Sequence, residues 1–143
     1  PKDLKHFLKR ASLMLITSYQ EGFGISGLEA LAYGIPVIST DCGGVRDFVI
    51  KSITGYLVDI NDDKDMAIKA LRIISSQNFH AKVSEQARAF VEQHFSHQII
   101  YKRFKLGLIK VYPELEEEFK LSDKQQQKNK PLKNVVKYES VGH

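Results

Sequence analysis

The sequence predicts an α/β chain: a Rossmann-like parallel sheet with helices on both faces, running into a C-terminal part that is helical throughout. Two observations carry this. Three apolar runs of strand length, residues 12–17 ("SLMLIT"), 36–40 ("PVIST") and 54–60 ("TGYLVDI"), are separated by segments with helical spacing. Their apolar residues are consecutive rather than alternating, as in strands covered on both faces. From residue 62 to residue 112, apolar side chains then recur at three- and four-residue spacing.

Taken in order, Leu4, Phe7 and Leu8 mark a short opening helix, and residues 12–17 form the first strand. A helix over about 26–33 follows, closed by Gly34, the residue type that most readily turns left-handed after a helix. Residues 36–40 make the second strand, 41–44 a turn, 45–50 a short helix and 54–60 the third strand. The next helix, over 62–76, has Met66, Ala70, Leu71 and Ile74 as its apolar face. Residues 78–95 form another, with Asn78 as N-cap. A last helix, 96–112, takes Ser96 as N-cap, carries a stripe of Ile100, Phe104, Leu108 and Val111, and stops at Pro113. Residues 1–112 thus form one lobe. Residues 113–143 form an acidic, then basic tail whose final ~20 residues, lacking apolar periodicity, are expected to be disordered.

The bulk composition excludes several classes. With 143 residues, 43% hydrophobic and 27% charged, the chain is long enough to bury a core. Its apolar runs fall far short of the ~20 residues of a membrane span. The opening "PKDLKHFLKR" is too charged for a signal peptide, and the missing initiator Met leads us to expect a processed or excised start. A lone cysteine, Cys42, allows no internal disulfide and no Cys/His zinc cluster, which points to the cytoplasm. The net charge of +4 sits mainly at the end: residues 122–143 hold five lysines against two acids, and residues 1–121 hold 16 basic against 15 acidic side chains. So nearly neutral a body offers no basic patch for nucleic acid.

The chemistry concentrates in residues 18–40, "SYQEGFGISGLEALAYGIPVIST", where Glu21 and Glu29 stand eight residues apart around Gly22, Gly24 and Gly27. The stretch "GFGISG" fits G-x-G-x-x-G, and Asp41 follows Gly22 by 19 residues, the pattern of an NAD-binding oxidoreductase half-site. Against that, "SYQE" separates the glycines from the strand, and a helix precedes that strand. Ser26 and Glu29 also fit a capping box, with Ser26 as N-cap. Capping leaves Glu21 unexplained, a carboxylate at the C-terminal end of a strand, where open α/β sheets hold their ligands.

The uninterrupted "EGFGISGLEALAYGIPVI" resembles the signature of the retaining nucleotide-sugar glycosyltransferases of the GT-B fold, glycosyltransferase family 4: two glutamates with seven residues between them, then A-(apolar)-A-x-G-x-P-V. The similarity continues through "STDCGGVRDFV", "TGYLV" and "FSHQIIYKRFKLGLIKVY", over residues 3–112, with Asp47 where the family usually has Glu. The resemblance implies the C-terminal, donor-binding lobe of a two-lobed enzyme. Its first strands, the Arg/Lys pair that holds the donor diphosphate and the acceptor lobe are expected outside these residues.

From the resemblance, Glu21 is implied as the catalytic carboxylate beside the donor hexose, and Glu29 as the ligand of the ribose hydroxyls. Gly22, Phe23, Gly24, Ile25 and Ser26 line the donor, the last two at a helix N-terminus suited to a diphosphate. The donor is a UDP- or GDP-sugar, and the acceptor a sugar, polysaccharide or lipid-linked glycan. No cofactor and no essential metal are expected, since a helix N-terminus together with basic side chains can neutralise the leaving diphosphate. A non-catalytic interaction module of the same fold is the other alternative; keeping both glutamates argues against it. His6, His80, His94, His97 and Cys42 read as structural. The lysine-rich end reads as a solvated tail, or as a weak peripheral hold on anionic lipid.

Overall fold

Three parallel strands, β1 (Met14–Ile16), β2 (Val37–Thr40) and β3 (Gly55–Val58), lie side by side in that order in the computed structural model, which describes residues 4–128. Met14 pairs with Val37, and Val37 with Gly55. Each strand is shorter than its apolar run because the ends of the run do other work. Pro36 has no N–H to give, although its carbonyl accepts from the Met14 N–H at 2.9 Å. Thr54, fully buried, donates its hydroxyl to the Phe48 carbonyl at 2.5 Å and accepts from the Ile50 N–H at 2.7 Å.

Helix α1 (Leu4–Arg10) precedes β1, and α2 (Ile25–Ala32) joins β1 to β2. The short helix expected over 45–50 is a 3-10 turn at Gly44–Asp47. After β3 come α3 (Asp63–Ile74), α4 (Gln77–Phe95), α5 (His97–Val111) and α6 (Leu115–Lys128). Successive strand residues point to opposite faces. Ile16 and Val37 therefore enter a core shared with Leu31, Val45, Phe48 and Ala87, whereas Ile38, Tyr56 and Val58 enter a second core with Met66 and Ile73. Helix α4 serves both, with Phe79 against the α3 side and Phe90, Val91 and Phe95 against the α2 side. Two polar contacts fix its course: His80 Nε2 donates to the Ser12 carbonyl at 2.7 Å, and Arg88 donates to the Tyr33 carbonyl at 2.9 Å.

Several expectations need correction. The N-cap of α2 is Gly24, in the left-handed region at φ 82°, so Ser26 lies inside the helix and the Ser26–Glu29 capping box does not form. The N-cap of α4 is Ser76, whose hydroxyl accepts from the Phe79 N–H at 3.3 Å; Asn78 is already helical. On α3 the buried pair is Met66 and Ile73, whereas Leu71 and Ile74 are exposed. At about 100° per residue, Ile73 returns to within about 20° of Met66, while Leu71 stands about 140° away.

The chain divides into two compact units, residues 1–100 and 101–143. No residue of α5 is buried, and Ile100, Phe104 and Val111 of its expected stripe are exposed. Within the second unit, the Lys105 ammonium meets the Asp123 carboxylate and lies 5.6 Å from the Phe119 ring centroid. The expectation of an unstructured tail fails as far as Lys128, because α6 occupies Leu115–Lys128. Charge supports that helix where apolar spacing does not: Glu116, Glu117 and Glu118 sit in its positive first turn, and Glu116 pairs with Lys120 one turn on at 2.8 Å. The rest of the expected tail, residues 129–143, lies outside the described residues.

Candidate functional site

Beyond Ile16 the chain runs over the C-terminal edge of the sheet, as a loop that ends at Gly24. That loop is tied to the end of β2. The Glu21 N–H donates to the Cys42 carbonyl at 2.7 Å, and the Gly44 N–H donates to the Glu21 carbonyl at 3.2 Å. These bonds make Glu21 and Gly43 an isolated parallel bridge, an extra rung beyond the strands. Upstream, Thr40 Oγ1 donates to the Ser18 carbonyl at 2.5 Å. The half-buried Glu21 carboxylate accepts from the Ser18 hydroxyl at 3.3 Å. Ser18 and Thr40 were not singled out in the sequence. The only signal was a serine three residues before a loop glutamate, too common a pattern to distinguish.

The rung depends on missing side chains. A Cβ on Gly43, at φ 117°, would stand 2.7 Å from the Glu21 carbonyl oxygen, and one on Gly44 would collide with the Gly22 backbone. At Gly24 a Cβ would come to 3.0 Å from Val45 Cγ1 and 3.1 Å from Phe48 Cζ. Gly24 therefore lets the chain turn left-handed directly against the core and start α2 at once. The first amides of α2, at Ile25 and Ser26, have no partner within the helix and carry the positive end of its dipole. Ile25, Ser26 and Glu29 are exposed on neighbouring turns of that helix.

Loop and helix start thus bring together Glu21, Gly22, Phe23, Gly24, Ile25, Ser26 and Glu29 at one edge of the sheet. Phe23 joins through its backbone: its ring packs edge-on against Phe48 and tilted against Phe95, with centroids 6.0 Å apart in both pairs. Asp41, at the end of β2, is engaged by Arg46, whose hydrogen bond outweighs the loss of hydration and, with a lesser contribution from its charge, holds the carboxyl below the ordinary carboxylate range. A cavity of about 140 Å³, lined by Thr17, Tyr19, Thr40, Asn61, Asp62 and Met66 among others, opens at the same edge and includes none of the candidate residues. Among the described residues, no group of three His, Cys, Asp or Glu side chains could hold a metal ion, and no helix is long and apolar enough to cross a membrane.

Residues 1–90 match the family profile described as glycosyl transferases group 1. The chain belongs to this family. Its relatives include the N-acetyl-alpha-D-glucosaminyl L-malate synthase of Bacillus anthracis, 31% identical over 102 residues that make up 71% of this chain and 27% of the relative. A D-inositol 3-phosphate glycosyltransferase from a Nocardioides species is 32% identical over 108 residues, 71% of this chain and 24% of the relative. Among solved structures, a variant of S. aureus TarM in complex with fondaparinux, alpha-GlcNAc-glycerol and UDP superposes with a TM-score of 0.66 at 29% identity, covering 74% of this chain and 22% of that one. The chain therefore spans about a quarter of the length of these group 1 relatives. Its parallel sheet flanked by helices is the GT-B arrangement, and family membership does not favour the oxidoreductase alternative.

Proposed function

We propose that this chain is the donor-binding part of a retaining glycosyltransferase of family 4, which moves a sugar from a UDP- or GDP-sugar to a sugar, polysaccharide or lipid-linked glycan. The observation that carries the reading is the extra rung at Glu21. It fixes the backbone of a half-buried carboxylate at the C-terminal edge of the sheet, beside an exposed helix N-terminus with a second carboxylate one turn further on. UDP bound to the TarM variant supports the class of donor.

Each part of a nucleotide sugar meets a suitable partner in this arrangement. The Glu29 carboxylate accepts from both hydroxyls of the ribose. The α2 amides at Ile25 and Ser26 take the diphosphate. Gly22 has open space where a side chain would stand, so the backbone from Gly22 to Gly24 approaches the hexose. Glu21, held by Ser18, supports the positive charge that develops on the sugar as its bond to the diphosphate breaks and an acceptor oxygen attacks from the same face. The proposal places the enzyme in the cytoplasm, with the lysine-rich end available to anionic lipid.

Separating the two glutamates in the full-length enzyme tests the reading. Glu29→Gln should weaken nucleotide binding by about 1–3 kcal/mol with a smaller effect on turnover, as expected for a charged hydrogen bond made in both ground and transition states. Glu21→Gln should leave nucleotide affinity nearly unchanged and lower kcat by about a hundredfold or more. Calorimetry with UDP and GDP, alongside steady-state kinetics, reads both. Normal turnover in Glu21→Gln would remove Glu21 from the catalytic role.

A further inference from the structure

The loop that carries Glu21 is held on its β2 side by backbone hydrogen bonds, and two residues on, its Phe23 ring packs between aromatic rings. Phe23, 37% exposed, sits between two rings from distant parts of the chain. Phe48 lies on one side, fully buried behind the 3-10 turn, with its ring plane at 64° to that of Phe23. Phe95, the last residue of α4, lies on the other at 60°. Phe95 is itself propped by Phe90, five residues back, at 5.9 Å, and Phe90 packs on His94 at 4.6 Å. Offset and edge-on ring pairs at these separations have preferred geometries, so they orient as well as bury.

We propose that Phe95 is a positioning residue for the Glu21 loop, acting through Phe23. Glu21 and Gly24 flank Phe23 directly or at one remove, so the angle of the Phe23 ring sets where the peptides between them point. Phe48 alone cannot set that angle. Its ring lies within 3.1 Å of where a Cβ would stand on Gly24, which locates the bottom of the loop, but it touches only one side of Phe23. Phe95 closes the other side. The end of α4, 72 residues further along the chain, thereby becomes part of the support for a catalytic carboxylate it does not touch. This inference rests on the assignment of Glu21 above.

The test is a double-mutant cycle in the full-length enzyme with Phe23→Leu, Phe95→Leu and the pair, plus Phe95→Tyr, measuring kcat, KM for the donor sugar, calorimetric nucleotide affinity and Tm. A misplacement of the loop by a fraction of its length should lower kcat roughly ten- to a hundredfold in Phe95→Leu. Nucleotide affinity, set by the α2 amides and Glu29, should stay within about twofold. Phe95→Tyr, which keeps the ring, should recover most of the turnover. In the Phe23→Leu background the further loss from Phe95→Leu should shrink to less than about twofold, because the residue through which it acts is gone. Equal losses with and without Phe23, or a lowered Tm with unchanged kcat, would show Phe95 to be packing only and overturn the proposal. Glu21→Gln run in parallel keeps the two readings apart. If it is inactive while Phe95→Leu is normal, positioning alone fails; if Glu21→Gln is itself normal, the catalytic assignment fails first.

Discussion

At Gly24 three demands meet in one residue: a left-handed backbone, contact with Val45 and Phe48, and the start of α2. Gly24→Ala should therefore cost about 1–2 kcal/mol from the left-handed backbone alone, with steric strain added. Chemical denaturation would measure this, and Gly22→Ala, whose Cβ meets open space, is the matched control expected to stay near native stability. The Asp41–Arg46 pair makes a pH prediction. Because Arg46 lowers the folded-state pKa of Asp41, the pair's stabilisation is present above the ordinary carboxylate range and is lost as pH falls through the lowered value. Both side chains are substantially exposed, so the gain is small and screened by salt. Asp41→Asn should unfold slightly more easily than the parent at neutral pH and identically in strong acid, as read by denaturant melts across pH. Of the candidate site, the spacing of the two glutamates and the glycines is local and therefore readable in the sequence. The bond from Thr40 to the Ser18 carbonyl and the packing of Phe95 on Phe23 are not, since only the fold brings those residues together.

The helices differ in how plainly their ends were written. Gly34 was legible as the end of α2 and takes φ 74° there, with the Ile35 N–H closing onto the Ala30 carbonyl at 2.9 Å. The start of α4 is ambiguous in the sequence, because Ser75, Ser76 and Asn78 are all competent caps, and packing of Phe79 favours Ser76. Ser76→Ala should consequently destabilise the protein by about 1 kcal/mol. Asn78→Ala, a substitution inside the helix, should be neutral or slightly stabilising in thermal melts. The order of strands and helices was legible from apolar runs, since strands covered on both faces and amphipathic helices have different periods. Which apolar residues those helices bury was less so. A stretch such as "LRII", with three apolar residues in four, offers several faces, and the phase relative to Met66 decides that Ile73 goes in. Helix α6 leaves no apolar periodicity in the sequence because charge supports it.

At the scale of the molecule, the sheet shows where this lobe is open. β1 pairs only with β2, so its other edge presents unpaired backbone groups among the described residues, and Leu15 upon it is half exposed. The chain covers about a quarter of its group 1 relatives, and under the proposed function an acceptor lobe and an Arg/Lys diphosphate clamp are expected outside these residues. Near the candidate site the chain offers Arg46, already paired with Asp41, and the partial charge of about +0.5 at the α2 N-terminus. A leaving diphosphate needs more. Losing each of two cationic stabilisers should cost roughly 10²–10³ in rate. Losing the surface that orients the acceptor removes the effective concentration that makes transfer faster than hydrolysis. The 143-residue chain on its own should accordingly show no sugar transfer above background in an assay of UDP or GDP release with the corresponding sugar donors. The full-length enzyme, assayed in parallel, should turn over. Transfer by the isolated chain at a rate near that of the whole enzyme would mean that these residues contain a complete site, and the two-lobed reading would have to be abandoned.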